Sequence, residues 1–144
     1  MGKRSYLLMK CSRPEPLIQK VDCVRLYVPD LDAGLAFYRD QLGHQVIWRM
    51  EHQVGLRMPG SDAEIVLQNE EQGQEIDFKV HSADAAAARI QEAGGKIVVP
   101  PFDIQIGRCA VVQDPWGNPF VLLDTSKGLL VTGDDGYVIG TTGP

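Results

Sequence analysis

Two short stretches concentrate the side chains of this chain that can do chemistry. In EIDFKV, residues 75–80, Glu75, Asp77 and Lys79 alternate with Ile76, Phe78 and Val80. In VDCVRLYV, residues 21–28, Cys23, Arg25 and Tyr27 alternate with Val24, Leu26 and Val28. A period of two belongs to a β-strand, so each polar trio leaves one face of its strand together. Arg25 or Lys79 can hold a carboxylate or phosphate, and the arginine fork can do so with two parallel bonds. Glu75 can act as a general base if the neighbouring Asp77 carboxylate, or partial desolvation, raises its pKa. Cys23 lacks a histidine on its own strand face and reads as a small buried thiol rather than a nucleophile. In EIVLQ, Glu64 and Gln68 share a face with Val66. No GxSxG, P-loop or dinucleotide fingerprint is present, and GDDG near the end lacks the strand–helix setting of a phosphate loop.

These residues need elements to position them. The strand of residues 21–28 is stopped by Pro29, and Asp30 or Asp32 can cap a helix after it. Leu31, Leu35, Tyr38 and Leu42 recur at helical spacing, and Gly43 is placed to end that helix. Strand-like runs follow at 45–50, 54–58 and 63–68, the last two separated by the turn PGSD. The pattern then restarts. A strand over 75–80 precedes a helix, AAAARIQEA, which Ser82 or Asp84 can cap and Gly94-Gly95 can end. Strands over 96–99, 108–113 and 119–124 complete it, with the turn DPWGN before the last.

The halves align at a constant offset of 52 residues: Val24 falls on Ile76, Leu26 on Phe78, Asp32 on Asp84, Gly43 on Gly95 and Gly55 on Gly107. This order of elements, caps and glycines indicates an internal duplication of a βαβββ unit. The organisation expected is an N-terminal arm over 1–20, a first module over 21–70, a second over 71–124 and a tail over 125–144. The arm carries Pro14 and Pro16 and reads as extended. In the tail, two apolar runs flank GDDG, which predicts a β-hairpin that covers a sheet edge or reaches a partner chain.

Bulk properties exclude several classes. With 144 residues, 44% hydrophobic, the chain can fill one core. Its net charge of -5, with no basic cluster beyond Lys3 and Arg4, argues against nucleic acid as a partner. The apolar run from Tyr6 to Met9 is too short for a signal-peptide core or a membrane span. Cys11, Cys23 and Cys109 contain no CxxC pair, which fits free thiols and a cytoplasmic location.

PDLDAGLAFYRDQLG (29–43) and DPWGNPFVLLD (114–124) sit at corresponding places in successive modules. They resemble the glyoxalase/bleomycin-resistance/dioxygenase (vicinal oxygen chelate) group over about residues 21–124. The resemblance implies an α+β fold in which two tandem βαβββ modules curl a mixed sheet into a cupped surface around a central cleft. It also implies that dimers are common and that metal-dependent members hold a divalent ion with four inward side chains. Those four positions fall here on Cys23, Val66, Glu75 and Val121. Two valines offer no lone pair, so the expectation is no cofactor, with a divalent metal at Glu75, Cys23 and Glu64 as the alternative. His44, His52 and His81 match none of the positions.

The cup places Arg25, Tyr27, Glu64, Gln68, Asp77, Lys79, Val121 and Leu123 as ligand-binding residues and Glu75 as the candidate catalytic one. Trp48, Phe102 and Trp116 are candidates to line or roof it. The expected function is binding of a small organic molecule with an anionic or polar end, without a metal, by a homodimer. The alternative is a lyase, isomerase or dioxygenase of the same group.

Overall fold

The computed structural model describes residues 14–143; Lys3, Arg4 and Cys11 of the expected arm lie outside them. The elements in chain order are β1 (Lys20–Tyr27), α1 (Leu31–Leu35) continued by a π-helical segment (Ala36–Gln41), β2 (Val46–Arg49), β3 (Gln53–Arg57) and β4 (Glu64–Gln68). There follow β5 (Gln74–Lys79), α2 (Ala83–Glu92), β6 (Lys96–Ile104), β7 (Gly107–Gln113) and β8 (Pro119–Leu123). A final pair, β9 (Leu130–Thr132) and β10 (Val138–Thr141), forms the hairpin expected of the tail.

Strands β1 to β8 make one mixed sheet in the order β2-β3-β4-β1-β5-β8-β7-β6. β1 runs parallel to β4 and β5 parallel to β8, while β1 and β5 pair antiparallel. The two βαβββ runs therefore join through their first strands, and the architecture is the expected α+β one. Alternation sorts the side chains between the two faces. Leu26, Val28, Val54, Leu56 and Leu67 pack under the first helix; Val80, Ala110, Val112 and Leu122 pack under α2. Ala83, Ala86 and Ala87 are the buried residues of α2, and their small side chains let the helix lie close to the sheet. The opposite face carries the two inner clusters, Cys23–Trp48–Val66 and Cys109–Val121–Leu123.

Asp30 caps α1 by accepting from the Asp32 amide at 3.1 Å, and Ser82 caps α2 by accepting from Ala85 N–H at 3.2 Å. Asp32 and Asp84, the alternative caps, form ion pairs with Arg49 and Arg108 instead. Leu31 and Leu35 are buried as expected, but Leu42 is 52% exposed. The cause is the π-helical winding, visible where Leu42 N–H donates to Phe37 O at 3.0 Å: wider turns take position 42 out of the 3.6-residue phase. β6 is longer than the expected 96–99 and runs through Pro100 and Pro101 to Ile104. An edge strand tolerates prolines because one side of its backbone needs no partner, and its pairing with β7 slips at two places there.

The paired glycines of the repeat have a packing reason. A Cβ on Gly55 would lie 2.1 Å from Trp48 Nε1, and one on Gly107 would lie 2.3 Å from Asp124 O. In each module the glycine admits a group from the neighbouring strand or from the segment after β8. Asp124 is a hub of the second module: it is 3% exposed and accepts from Ala83 N–H, Arg108 N–H, Ser126 N–H and Ser126 Oγ. Burial opposes its ionisation, but these donors win and hold the carboxyl below its ordinary range.

The tail folds back across the first module. Leu130 and Val138 pack on Cys23, Trp48 and Val66, and Arg49 N–H donates to Gly136 O at 3.0 Å beside β2, the edge strand. The Arg49 guanidinium lies over the Tyr137 ring, 5.6 Å from its centre.

Candidate functional site

A cleft with a cavity volume of about 950 Å³ opens on the inner face of the sheet. Its floor is built by β1, β4 and β5. Register places Cys23 between Glu64 on β4 and Asp77 on β5, and Arg25 between Val66 and Glu75. Trp48, Met50, Phe102, Ile104, Leu123 and Leu130 supply apolar walls. The tail is thus part of the cleft, contributing Leu129, Leu130 and Thr132.

Arg25, Glu64, Gln68, Glu75, Asp77 and Leu123 are brought together around this cavity. Tyr27, Lys79 and Val121 are not among its lining residues. Tyr27 follows Leu26, the last residue of β1 that pairs with β5, so it lies at the far end of the strand. Lys79 pairs with Lys20 at the other end and lines a separate, smaller cavity with Gln19 and His81. Val121 is 4% exposed and packs against Cys109 and Leu123 on the inner face. Of the three aromatic candidates, Trp48 and Phe102 line the cleft, while Trp116 sits in its turn 84% exposed.

The polar side chains on the floor are largely committed to each other. Arg25 Nη1 donates to Gln53 Oε1 at 2.8 Å, and Arg25 Nε lies 3.3 Å from Glu75 Oε2. Lys79 does not pair with Asp77. The Gln68 amide organises the following loop: its oxygen accepts from Glu70 and Glu71 N–H, and its nitrogen donates to Glu71 O. Trp48 Nε1 donates to Glu64 Oε1 at 2.6 Å. The Cys23 thiol donates to Asp77 Oδ2 at 3.4 Å, and among the described residues Asp77 Oδ1 is buried without a partner.

Burial sets the protonation of this floor. Desolvation, assisted by the Glu75 carboxylate beside it, pushes Asp77 up to about 8. Desolvation also raises the Asp22 and Glu64 carboxyls, against the pull of Lys20 on the first and the Trp48 bond on the second. The Cys23 thiol is pushed far up by burial and by Asp77, so it stays protonated. Cys109 rises to about 12 for the same reasons.

Strict alternation misses Asp22, which lines the cleft because a bulge shifts the register between Val21 and Cys23. It also misses Gln53 and Cys109. Gln53 stands opposite Gln68 across β3 and β4, and Cys109 opens the apolar run of residues 109–112, whose faces the sequence does not distinguish.

Of the four family metal positions, the two valines offer no donor atom. Val66 and Val121 are apolar and buried, and Cys23 donates its thiol hydrogen to Asp77. In the alternative set, Cys23 bonds Asp77 and Glu75 pairs with Arg25. Among the described residues no three His, Cys, Asp or Glu side chains stand close enough to share an ion.

Three comparisons place this geometry. The family model described as Glyoxalase/Bleomycin resistance protein/Dioxygenase superfamily matches residues 20–122. A putative glyoxylase, CFP32, from Mycobacterium tuberculosis is 47% identical over 47 residues, 32% of this chain and 18% of that protein. The anthracycline biosynthesis protein DnrV of Streptomyces peucetius is 38% identical over 64 residues, 42% of this chain and 23% of that protein. The chain therefore spans less than a quarter of these curated relatives. In structure it is similar to methylmalonyl-CoA epimerase from Mycobacterium tuberculosis, with a TM-score of 0.65 and 20% identity, covering 81% of this chain and 94% of the other. It is also similar to homoprotocatechuate 2,3-dioxygenase from Brevibacterium fuscum, with a TM-score of 0.59 and 28% identity, covering 79% and 39%.

Proposed function

Because the chain belongs to the Glyoxalase/Bleomycin resistance protein/Dioxygenase superfamily, we propose that it binds a small organic molecule in this cleft without a metal. The observation that carries the reading is the cleft itself. About 950 Å³ bounded by Trp48, Phe102, Ile104 and Leu130 over a polar floor suits a drug-sized amphipathic molecule. Metal independence rests on the donor set, with two valines at expected ligand positions. The free, buried Cys23 and Cys109 support a cytoplasmic location. No helix among the described residues is long and apolar enough to cross a membrane.

A homodimer is part of the proposal. Val98, Val99 and Phe102 are exposed on β6, an edge strand that a second copy could cover. Light scattering behind size exclusion should give twice the chain mass, and a monomer at high concentration would refute that part.

The binding itself is tested by thermal shift with Nile red, a neutral amphipathic probe. A ligand that binds only the native state must raise the melting temperature, by an amount that grows with its concentration. Adding a charge inside the cleft, Leu130→Asp, should abolish the shift. A variant that folds and shifts as the parent does would remove the cleft from the argument.

One observation favours a second reading, an isomerase or lyase. A carboxylic acid held protonated near neutrality, Asp77, stands beside Glu75, the arrangement that proton transfer uses. Metal analysis of untagged protein alongside Glu75→Gln separates the alternatives. Stoichiometric metal that is lost in the variant would overturn the metal-independent proposal.

A further inference from the structure

We propose that the ligand of the cleft carries an ammonium or similar cationic N–H group, and that this group seats on Asp77 Oδ1. The inference deepens the binding reading above and rests on it. It reverses the sign expected from the sequence, where Arg25 and Lys79 pointed to an anion.

The charges lining the cavity are unbalanced. Among the described residues, Asp22, Glu64, Glu70, Glu71, Glu75 and Asp77 line it, against Arg25 as the only Lys or Arg. That arginine is already engaged by Gln53 and Glu75. Lys79 lines a different cavity. A cleft of one sign with low-dielectric walls concentrates ligands of the opposite sign.

An acidic lining alone does not define a seat; Asp77 does. It is 6% exposed, it lines the cavity, and among the described residues Oδ1 has no hydrogen-bond partner. Near neutrality this oxygen carries the carboxyl proton, since Oδ2 takes the Cys23 thiol, and a ligand ammonium would displace that proton and bond the bared oxygen. The groups around it are Glu75 on its own strand, Cys23 and Arg25 on β1, Val121 on β8 and Cys109 on β7. Among them the Cys23 thiol is already spent on Oδ2. Arg25 is the one cation, and its Nε faces Glu75. The apolar walls then take the body of the molecule, so the class is an amphipathic amine.

Seating a cation favours the ionised form of Asp77, which burial otherwise suppresses. Binding near neutral pH therefore releases a proton, a signature that a hydrophobic contact alone does not give.

The experiment compares naphthylmethylamine, naphthylmethanol and naphthoate, which share a ring and differ in one group. Titration calorimetry of the full chain at neutral pH should rank the ammonium first, by about tenfold or more over the alcohol, with the carboxylate weakest. Repeating it in buffers of different ionisation enthalpy should show proton release with the amine and none with the alcohol. In Asp77→Asn, the tenfold preference should fall to within about twofold while the alcohol still binds. Equal or better binding of the alcohol or naphthoate overturns the inference, and so does amine binding without proton release. The proton measurement needs no variant, so it stands even if Asp77→Asn does not fold. If none of the three binds, the cleft reading falls together with the inference. If the alcohol binds without any preference for the amine, only the inference falls.

Discussion

Replacing Asp77 by Asn tests the electrostatics of the cleft floor through stability alone. In the folded chain the carboxyl holds its proton up to about pH 8, whereas the unfolded chain releases it near the ordinary value of 3.8. Between those values the native state binds more protons, so raising the pH favours unfolding. The penalty is absent below the unfolded pKa, grows through the interval and is complete above about 8. At about 1.4 kcal/mol per pK unit the whole displacement is worth about 6 kcal/mol. A site open to a cleft admits water and relaxes, so roughly half of that, about 3 kcal/mol, is the expected effect. For a chain of this size that is about 10 °C in Tm. Asparagine keeps the shape and never ionises, so its stability lacks this slope. Calorimetric melts of both proteins at about pH 5 and pH 9 cancel the other titrating groups, which the two share. About three of the four pK units lie above pH 5, so the variant should gain about 7 °C on the parent between the two conditions. Parallel behaviour, or a parent that gains on the variant as pH rises, would refute the assignment of Asp77 as a carboxyl kept neutral by burial.

Other consequences are equally direct. Gly55→Ala places a methyl group into the Trp48 indole and should cost about 1–3 kcal/mol, with a shift in tryptophan emission; an unchanged emission and Cm would contradict the packing. Asp124→Ala strands the donors of Ala83, Arg108 and Ser126 and should cost about 3–5 kcal/mol in urea unfolding. Because the Asp124 carboxyl is depressed, its contribution is present above the unfolded pKa and lost as pH falls through the folded one, so the gap to the variant should close in acid. Cys23 and Cys109 should react with a disulfide reagent at mildly alkaline pH only as fast as the chain opens, because burial holds both as thiols; rapid labelling of Cys23 in the native state would show that the cleft floor is wetter than its packing implies.

Much of the architecture follows from patterns that are local in the chain. Alternation over 21–28 and 75–80, the caps at Asp30 and Ser82, and glycines closing both helices fix element types, because strand period, cap chemistry and positive φ depend on neighbouring residues only. The recurrence of this order made the duplication legible, and two motifs at matching places carried the family. The positions of Glu64, Gln68, Glu75 and Asp77 on the inner face follow from the same period of two.

What tertiary structure decided depends on where strands begin to pair, where they slip and what folds over them. A single inserted residue turns Asp22 into the cleft, and strand ends leave Tyr27 and Lys79 beyond its rim, although all three lie in the two alternating stretches. π-winding exposes Leu42, which its spacing assigned to the core. The tail was readable as a hairpin, but its place over Cys23, Trp48 and Val66 arises from long-range packing that no local pattern encodes. The sign of the cleft likewise emerges only when loops and distant strands meet, because a charge balance belongs to a surface and a sequence orders residues along a line.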